Sequence, residues 1–324
     1  MVYGHNLVAN SLLQMVTSQH TPQSLLITGA PQVGKTTLAQ AFALAINCPA
    51  GNSPCGHCQV CRKIQNHNHP DVILFDSVAE SITIEQVREL QHALALKPVE
   101  SRYKIAIFSQ FERATLPAAN ALLKTLEEPP RHVILILTAQ QAFNLLPTIV
   151  SRCQVINLKP IPRPIIAQAL QDNWGASPAQ SDLLSRLAAG RLGWAVNALA
   201  EPDLLARREQ YLADLSELIR SDNAFRLAYA NTTARTTDSM QDLLNLWLSW
   251  WRDLLLLKNG ASDDVINIDQ LENLSALGEQ LGLNQILNAL HNTFDALKNL
   301  NYNVNMRLNF EVLLLRLPYF RFGD

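Results

Sequence analysis

The sequence has no excess of charge of either sign. Its 26 lysines and arginines nearly balance 28 aspartates and glutamates, so the net charge is −2 and the pI is near 6.4. A protein that binds nucleic acid by itself typically carries a strongly basic surface. We therefore expect any contact with DNA to be local or shared with partner proteins.

The sequence also has no long hydrophobic run. Its most apolar stretches are "VILILTA" and "WLSWWRDLLLLK", and the second is interrupted by Arg252 and Asp253. A membrane-spanning helix needs roughly 20 apolar residues. The N-terminal "MVYGHNLVANSLLQMV" has no basic leader and no cleavage site of small residues. We expect a soluble, cytoplasmic protein with no membrane partner.

Cysteine is scarce outside one short segment. Four of the five cysteines lie in residues 48–61 with the spacing C-x6-C-x2-C-x2-C. This spacing indicates a metal site in a reducing compartment rather than a disulfide framework. The thiolates of Cys48, Cys55, Cys58 and Cys61 would complete a tetrahedral, structural Zn²⁺ site with no open position for water. We interpret Cys153 as a buried small hydrophobic residue outside that site.

The first half of the 324-residue chain alternates short apolar runs with helical patterns. The runs "SLLITG", "VILFD", "YKIAIF" and "VILILTA" are predicted to be buried parallel strands. Apolar residues of "TIEQVRELQHAL" recur at helical spacing, and Ser81 or Thr83 can cap this helix. The alternation predicts a parallel sheet covered by helices.

The pattern changes at "LKPIPRP", whose three prolines indicate a linker. Beyond Ile165 the periodicity is helical, and Glu201-Pro202 forms a second candidate boundary. The stripe in "DLLNLWLSWWRDLLLL" is interpreted as core packing: Leu243, Leu244, Trp247, Leu248 and Trp251. We expect an α/β fold followed by all-α structure, with an α/β domain at 1–160 containing the zinc module at 48–61, and helical domains at 161–201 and 202–324.

The run "GAPQVGKT" matches the phosphate-loop pattern G-x-x-x-x-G-K-[ST] at every fixed position. An apolar strand precedes it and a helix follows, which would place phosphates at a helix N-terminus. Lys35 can reach the β- and γ-phosphates, and the Thr36 hydroxyl can ligate Mg²⁺. We predict that ATP or ADP is bound, with Mg²⁺ as a further candidate ligand, by Gly29, Ala30, Pro31, Gln32, Val33, Gly34, Lys35, Thr36 and Thr37.

The middle of the chain carries a family signature, "AANALLKTLEEPPRHVILILTAQQAFNLLPTIVSRCQVINLKPIP". It resembles the clamp-loader ATPases of bacterial DNA polymerase III, the gamma/tau and delta-prime subunits. Four further segments fit the same family: the cysteine module, "ITIEQVREL", "WLSWWRDLLLLKNG" and "LNYNVNMRLNFEVLLLRLP". The gap between the first two cysteines is shorter here than is usual in that family. The resemblance covers nearly the whole chain. It implies an AAA+ core, a small helical lid and a helical collar that binds other loader subunits.

The resemblance also implies roles for single residues and for partners. Arg152 in "SRC" corresponds to the arginine finger that reaches the ATP site of the next subunit. Thr138, near the end of "VILILTA", is a candidate for sensing the γ-phosphate. The implied partners are the gamma/tau and delta subunits, the sliding clamp and, within the assembled complex, primed DNA.

Two departures from the family bear on hydrolysis. Gamma-type subunits end the strand before "NALLKTLEEPP" in Asp-Glu, but here Ser109 and Gln110 occupy those positions. Serine is a poor Mg²⁺ ligand beside a carboxylate, and glutamine cannot act as a general base. Glu112 could substitute, although we expect it to point elsewhere. Asp76 could also substitute, although its strand is not the one beside the phosphate loop in the family.

The second departure lies in the lid. The sensing arginine of the motor subunits is replaced by Gly193 in "AAGRLGWAVNAL", and Arg191 could reach in instead. The chain thus keeps the arginine finger but lacks residues that its own ATP site needs for hydrolysis. This combination matches the delta-prime type, which supplies an arginine to the ATP site of a neighbouring subunit and hydrolyses no ATP itself. A hydrolysing gamma/tau-type subunit is the alternative; the end at Asp324, without a long tail, argues against it. A zinc-ribbon nucleic-acid binder and a small-molecule kinase are further alternatives.

Overall fold

The computed structural model describes residues 2–18, 20–50, 54–76, 81–233, 237–300, 302 and 304–319, with backbone alone at 76, 237 and 238. Contacts between Cα atoms divide the chain into two compact units. The first runs to Gly175 and includes Ala188–Ala195, and the second comprises Ala176–Leu187 and the chain from Val196 onward. The division into three domains stays a prediction.

The first unit is built on a parallel sheet. Among the described residues, five strands pair in the order β2-β3-β4-β1-β5. The strands are β1 (Ser24–Gly29), β2 (Val72–Asp76), β3 (Lys104–Ser109), β4 (Val133–Ala139) and β5 (Gln154–Leu158). The four predicted strands are confirmed. The fifth, β5, was not predicted because it is an edge strand with little buried surface and no continuous apolar run.

Helices cover this sheet. They are α1 (Asn6–Thr17), α2 (Lys35–Asn47), α3 (Gln59–Gln65), α4 (Ile84–Ala95), α5 (Leu116–Glu127), α6 (Pro147–Val150) and α7 (Arg163–Trp174). Thr83, not Ser81, caps α4: its hydroxyl accepts from the Gln86 backbone N–H at 3.4 Å, and the Gln86 side chain accepts from the Thr83 N–H at 3.0 Å. The apolar faces of α4 and α5 pack in one core with β3 and β4.

The order of the strands positions the candidate site. Because all strands are parallel, the ends of β1, β3 and β4 meet at one edge of the sheet. The phosphate loop follows β1, Ser109 ends β3, and Thr138 is next to last in β4. Residues far apart in the sequence are thereby brought to one place.

Only helices and short 3₁₀ turns follow β5 in the described part of the chain. They are α8 (Pro178–Leu187), α9 (Leu192–Ala200), α10 (Pro202–Arg220), α11 (Asn223–Thr233), α12 (Thr237–Lys258), α13 (Leu271–Gln280), α14 (Leu283–Asn299) and α15 (Met306–Leu315). Four residues of the predicted α12 stripe are buried in the core of the second unit: Leu243, Leu244, Trp247 and Trp251. Leu248 is only partly buried and is not part of that core. No described helix has both the length and the hydrophobicity needed to cross a bilayer.

Candidate functional site

The phosphate loop has the backbone geometry that its sequence demands. Gly29, Gln32 and Gly34 have positive φ values of 148°, 58° and 107°. A Cβ on Gly29 would lie 2.7 Å from the carbonyl oxygen of Leu158, so no other residue fits there without a shift of the backbone. The loop leads directly into α2, and the first N–H groups of a helix are a favourable position for an anion.

Lys35 lies folded over this loop. Its Nζ donates to the carbonyl oxygens of Gly29 and Ala30, both at 2.8 Å. Burial lowers the pKa of the Lys35 ammonium to about 8, and the negative charge of Glu112 partly offsets that effect. The ammonium is therefore held by neutral acceptors that phosphate oxygens could replace.

Hydroxyl groups meet at the ends of β3 and β4. The Oγ1 of Thr36 and the Oγ of Ser109 lie 3.2 Å apart. The backbone N–H of Gln110, which has a left-handed φ of 51°, donates to Oγ1 of Thr138 at 3.1 Å. The structure thus brings Thr36, Ser109 and Thr138 to one edge, where Ser109 offers Mg²⁺ a neutral oxygen instead of a carboxylate.

Glu112 lies in the 3₁₀ turn after β3, and its carboxylate turns back toward the loop instead of pointing away. Its Oε1 accepts from the backbone N–H of Gln140 at 3.0 Å, and the carbonyl of Gln140 accepts from Gly29 N–H at 3.1 Å. Its Oε2 is buried and has no hydrogen-bond partner within the described residues. The side chain of Asp76 lies outside the described residues, and β2 is separated from β1 by two strands.

Two further residues hydrogen-bond to the phosphate loop: His5, which sequence reasoning missed, and Gly193, which it identified only as the replacement of the sensing arginine. The buried His5 donates from Nε2 to the carbonyl of Val33 at 3.0 Å. The backbone N–H of Gly193 donates to the carbonyl of Gln32 at 2.9 Å, and a Cβ on Gly193 would lie 2.9 Å from that same oxygen. No local motif identifies His5, because it lies 28 positions before Val33 in the sequence and the fold brings the two residues together.

Arg191, the other candidate in this segment, contacts residues near it in the sequence. Its Nε donates to the carbonyl of Ala188 at 2.9 Å, and its guanidinium lies 5.7 Å from the ring centre of Trp194.

The four clustered cysteines converge as their spacing predicts. Their sulfur atoms all lie within 4.8 Å of one another. Tetrahedral zinc with Zn–S bonds near 2.3 Å requires sulfurs about 3.8 Å apart, so small shifts would complete the site. Three backbone N–H groups also point at sulfurs, each at 3.4 Å, from Cys55 to Cys48, Cys58 to Cys55 and Cys61 to Cys58. The donor set fits Zn²⁺ held by Cys48, Cys55, Cys58 and Cys61.

The cysteine environments differ. The hydrogen bond from the Cys58 backbone lowers the pKa of the Cys55 thiol to about 6, whereas burial raises the pKa of Cys61 to about 12. Cys153 is half-buried against the sheet core rather than fully buried, and burial raises its pKa to about 11. It lies outside the cluster.

Arg152 follows α6 and precedes β5. Its Nη1 donates to the carbonyl of Thr148 at 2.8 Å, and its Nη2 donates to Oε1 of Glu127 at 2.5 Å. The side chain of Arg152 is 34% exposed, so it is accessible from solvent. The segments "TLEEPP" and "SRC" are therefore joined by an ion pair.

Comparison with known proteins gives consistent matches. A family model described as DNA polymerase III, delta subunit, matches residues 4–162. The delta-prime subunit of DNA polymerase III from Bacillus subtilis is 27% identical over 322 residues, which span 96% of this chain and 95% of that protein. The Haemophilus influenzae delta-prime subunit is 39% identical over 137 residues, or 42% of each chain. The chain belongs to the delta-prime and gamma/tau family of DNA polymerase III clamp-loader subunits.

The fold agrees with this membership. A gamma subunit-related protein from Thermotoga maritima superimposes with a TM-score of 0.50 and 17% identity, over 95% of this chain and 97% of that one. The architecture is the AAA+ clamp-loader fold, a parallel sheet with helices followed by an all-helical region. In this clamp-loader subunit, Ser109 adjoins Thr36 and Gly193 contacts the phosphate loop.

Proposed function

We propose that this chain is a delta-prime-like subunit of the bacterial DNA polymerase III clamp loader. It binds ATP or ADP through the phosphate loop, hydrolyses it little or not at all, and donates Arg152 to the ATP site of the neighbouring subunit. The assembled complex loads the sliding clamp onto primed DNA.

The observation that carries this proposal is the contact between Thr36 and Ser109. The two hydroxyls lie 3.2 Å apart, so the position that should supply an Mg²⁺-binding carboxylate supplies a neutral oxygen. Gln110, the next residue, has an amide that cannot take a proton from water at neutral pH. The phosphate loop retains its glycines and lysine, which supports binding without turnover.

The role of Arg152 is supported by its exposure and by its sequence context. Its side chain is 34% exposed on the surface of the first unit, where a second chain can reach it. A positive charge supplied in trans to the γ-phosphate is worth about 10³- to 10⁵-fold in rate in related NTPases. An arginine finger needs no intact catalytic site in its own chain.

Assembly through the helical second unit is supported by an apolar face of α15. Leu308, Val312 and Leu315 are 56%, 47% and 43% exposed and recur at helical spacing. A Leu308→Glu substitution should weaken assembly with the gamma/tau and delta subunits in size-exclusion chromatography. Nucleotide binding by the isolated chain should be unchanged.

The alternative is a hydrolysing gamma/tau-type subunit, and Glu112 is the observation in its favour. Its buried Oε2 has no partner among the described residues, and its charge acts on Lys35. In this alternative Glu112 would replace the missing carboxylate beside the phosphates.

The two functions differ in whether the bound ATP is hydrolysed. The purified chain is titrated with labelled ATP and Mg²⁺ while binding and phosphate release are followed together. Tight binding without release, with affinity reduced at least about tenfold in Lys35→Ala, supports the delta-prime-like function. Release that is lost in Glu112→Gln or Asp76→Asn would instead identify a motor subunit.

A further inference from the structure

The guanidinium of Arg152 is held by its own chain before any partner is bound. Nη1 donates to the Thr148 carbonyl at 2.8 Å and to Ser151 Oγ at 3.5 Å, and Nη2 donates to Glu127 Oε1 at 2.5 Å. These bonds use three of the five guanidinium hydrogens. Among the described residues, Nε–H and the second hydrogen of Nη2 have no hydrogen-bond partner, so an external acceptor can bind them.

Glu127 is carried by a well-anchored element. It is the last residue of α5, whose Leu122 and Leu126 are buried in the sheet core. Pro129 and Pro130 follow and cannot continue the helix, so the direction of the chain after Glu127 is constrained. The carboxylate is therefore presented from a fixed point beside the turn that carries Arg152.

The ion pair contributes little to stability. The two side chains are 34% and 50% exposed, and ion pairs at such exposure are weak because water screens them. A carboxylate at the C-terminus of a helix is also unfavourable with respect to the helix dipole. What the pair does achieve is to restrict a long side chain with many rotamers to one orientation, and such preorganisation favours a group that must meet a phosphate.

We propose that Glu127 is a positioning residue for Arg152, an inference that rests on the proposed role of Arg152 as an arginine finger. Glu127 takes one edge of the guanidinium and leaves the remaining donors directed at the γ-phosphate bound by the neighbouring subunit. It acts through Arg152 and makes no contact with the nucleotide. Its effect is therefore on the rate of hydrolysis by the neighbour and not on nucleotide binding.

The test is steady-state ATP hydrolysis by the complete clamp loader, reconstituted with its gamma/tau and delta subunits. Glu127→Ala should lower kcat about 10-fold or more and leave KM within about twofold, since only transition-state contact is lost. Glu127→Gln keeps an oxygen acceptor and should restore kcat to within about threefold of the original. Glu128→Ala is the matched control, because none of the bonds of Arg152 in the described structure involves Glu128.

The reference variant separates failure of this inference from failure of the proposed function. Arg152→Ala should reduce kcat by about 10³-fold, and Arg152→Ala with Glu127→Ala should fall no further, since both act in one step. If Arg152→Ala is inactive but Glu127→Ala retains full kcat, or raises it, Glu127 does not position the finger. If Arg152→Ala leaves kcat unchanged, the finger role and the role of Glu127 are both wrong. Size-exclusion chromatography of each complex verifies that assembly is intact.

Discussion

The side-chain oxygens of Thr36 and Ser109 lie 3.2 Å apart, so a serine hydroxyl directly faces the candidate Mg²⁺ ligand of the phosphate loop. Ser109 is 3% exposed and ends the buried strand β3, which fixes its position relative to the loop. We expect this serine to affect the binding of Mg²⁺ more than the binding of the nucleotide. The phosphate-binding backbone and Lys35 do not depend on Ser109.

We therefore predict that ATP binding by this chain depends little on Mg²⁺. Mg²⁺ at phosphate sites is held by carboxylates together with the phosphates, and a neutral hydroxyl adds little to its binding. The Kd for ATP measured by calorimetry should differ less than about threefold between Mg²⁺ and EDTA, which is under about 1 kcal/mol. Ser109→Asp should increase the difference to about tenfold or more, while Ser109→Ala should leave it small. A large Mg²⁺ effect in the unsubstituted protein would contradict this prediction and point to Glu112.

The affinity for nucleotide should fall at alkaline pH because of Lys35. Burial lowers the pKa of its ammonium to about 8. Below about pH 7 the lysine is charged and ready to bind phosphate, and above pH 8 each binding event must take up a proton. The apparent Kd should therefore rise up to about tenfold per pH unit above 8.

Calorimetry in two buffers of different ionisation enthalpy at pH 8.5 measures that proton uptake. The charge of Glu112 raises the pKa of Lys35, so Glu112→Gln should move the pH dependence to lower pH. Binding that is independent of pH from 7 to 9.5, with no proton uptake, would show that Lys35 does not titrate in this range.

The cysteine cluster should hold about one zinc ion per chain. The four sulfurs lie within 4.8 Å of one another, so substituting one ligand should release most of the metal. Cys58→Ser should lose zinc by elemental analysis and lower the Tm of the first unit by about 2–4 °C for each kcal/mol lost. Cys153→Ser is the control, because Cys153 lies outside the cluster. Equal zinc content in both variants would contradict the site.

Arg226 should be essential for the stability of the second unit. It is 1% exposed, and its guanidinium caps the C-terminal end of α15 and the α10 backbone by donating to the carbonyls of Leu218, Leu314, Leu317 and Pro318. Arg226→Ala would leave buried carbonyls without donors, at a cost of about 3 kcal/mol or more.

Urea unfolding followed by tryptophan fluorescence measures that loss, because Trp247, Trp250 and Trp251 lie in the same core. The control is Arg316→Ala, because Arg316 is exposed and directly follows α15. This substitution should change the free energy of unfolding by less than about 0.5 kcal/mol. A stable Arg226→Ala variant would mean that water replaces the guanidinium.

Local patterns predicted most of the secondary structure of the first unit. The buried strands were identifiable because they are continuous apolar runs, and α4 was identifiable from its spacing and its capping threonine. The edge strand β5 escaped because only Leu158 of its five residues is buried, so its sequence has neither a continuous apolar run nor a clear alternation. The direction of Glu112 was also misjudged, since the turn after β3 is set by a left-handed Gln110 that no propensity predicts.

The sequence by itself determined the family, the phosphate loop and the cysteine cluster, because each is encoded in closely spaced residues whose chemistry is local. Only the tertiary structure decided which distant residues complete these sites. It placed Ser109 against Thr36, His5 against Val33, and Glu127 against Arg152. These contacts join residues that are 25 to 73 positions apart. Such pairs depend on strand order and helix packing, and neither is set by any single segment of the chain.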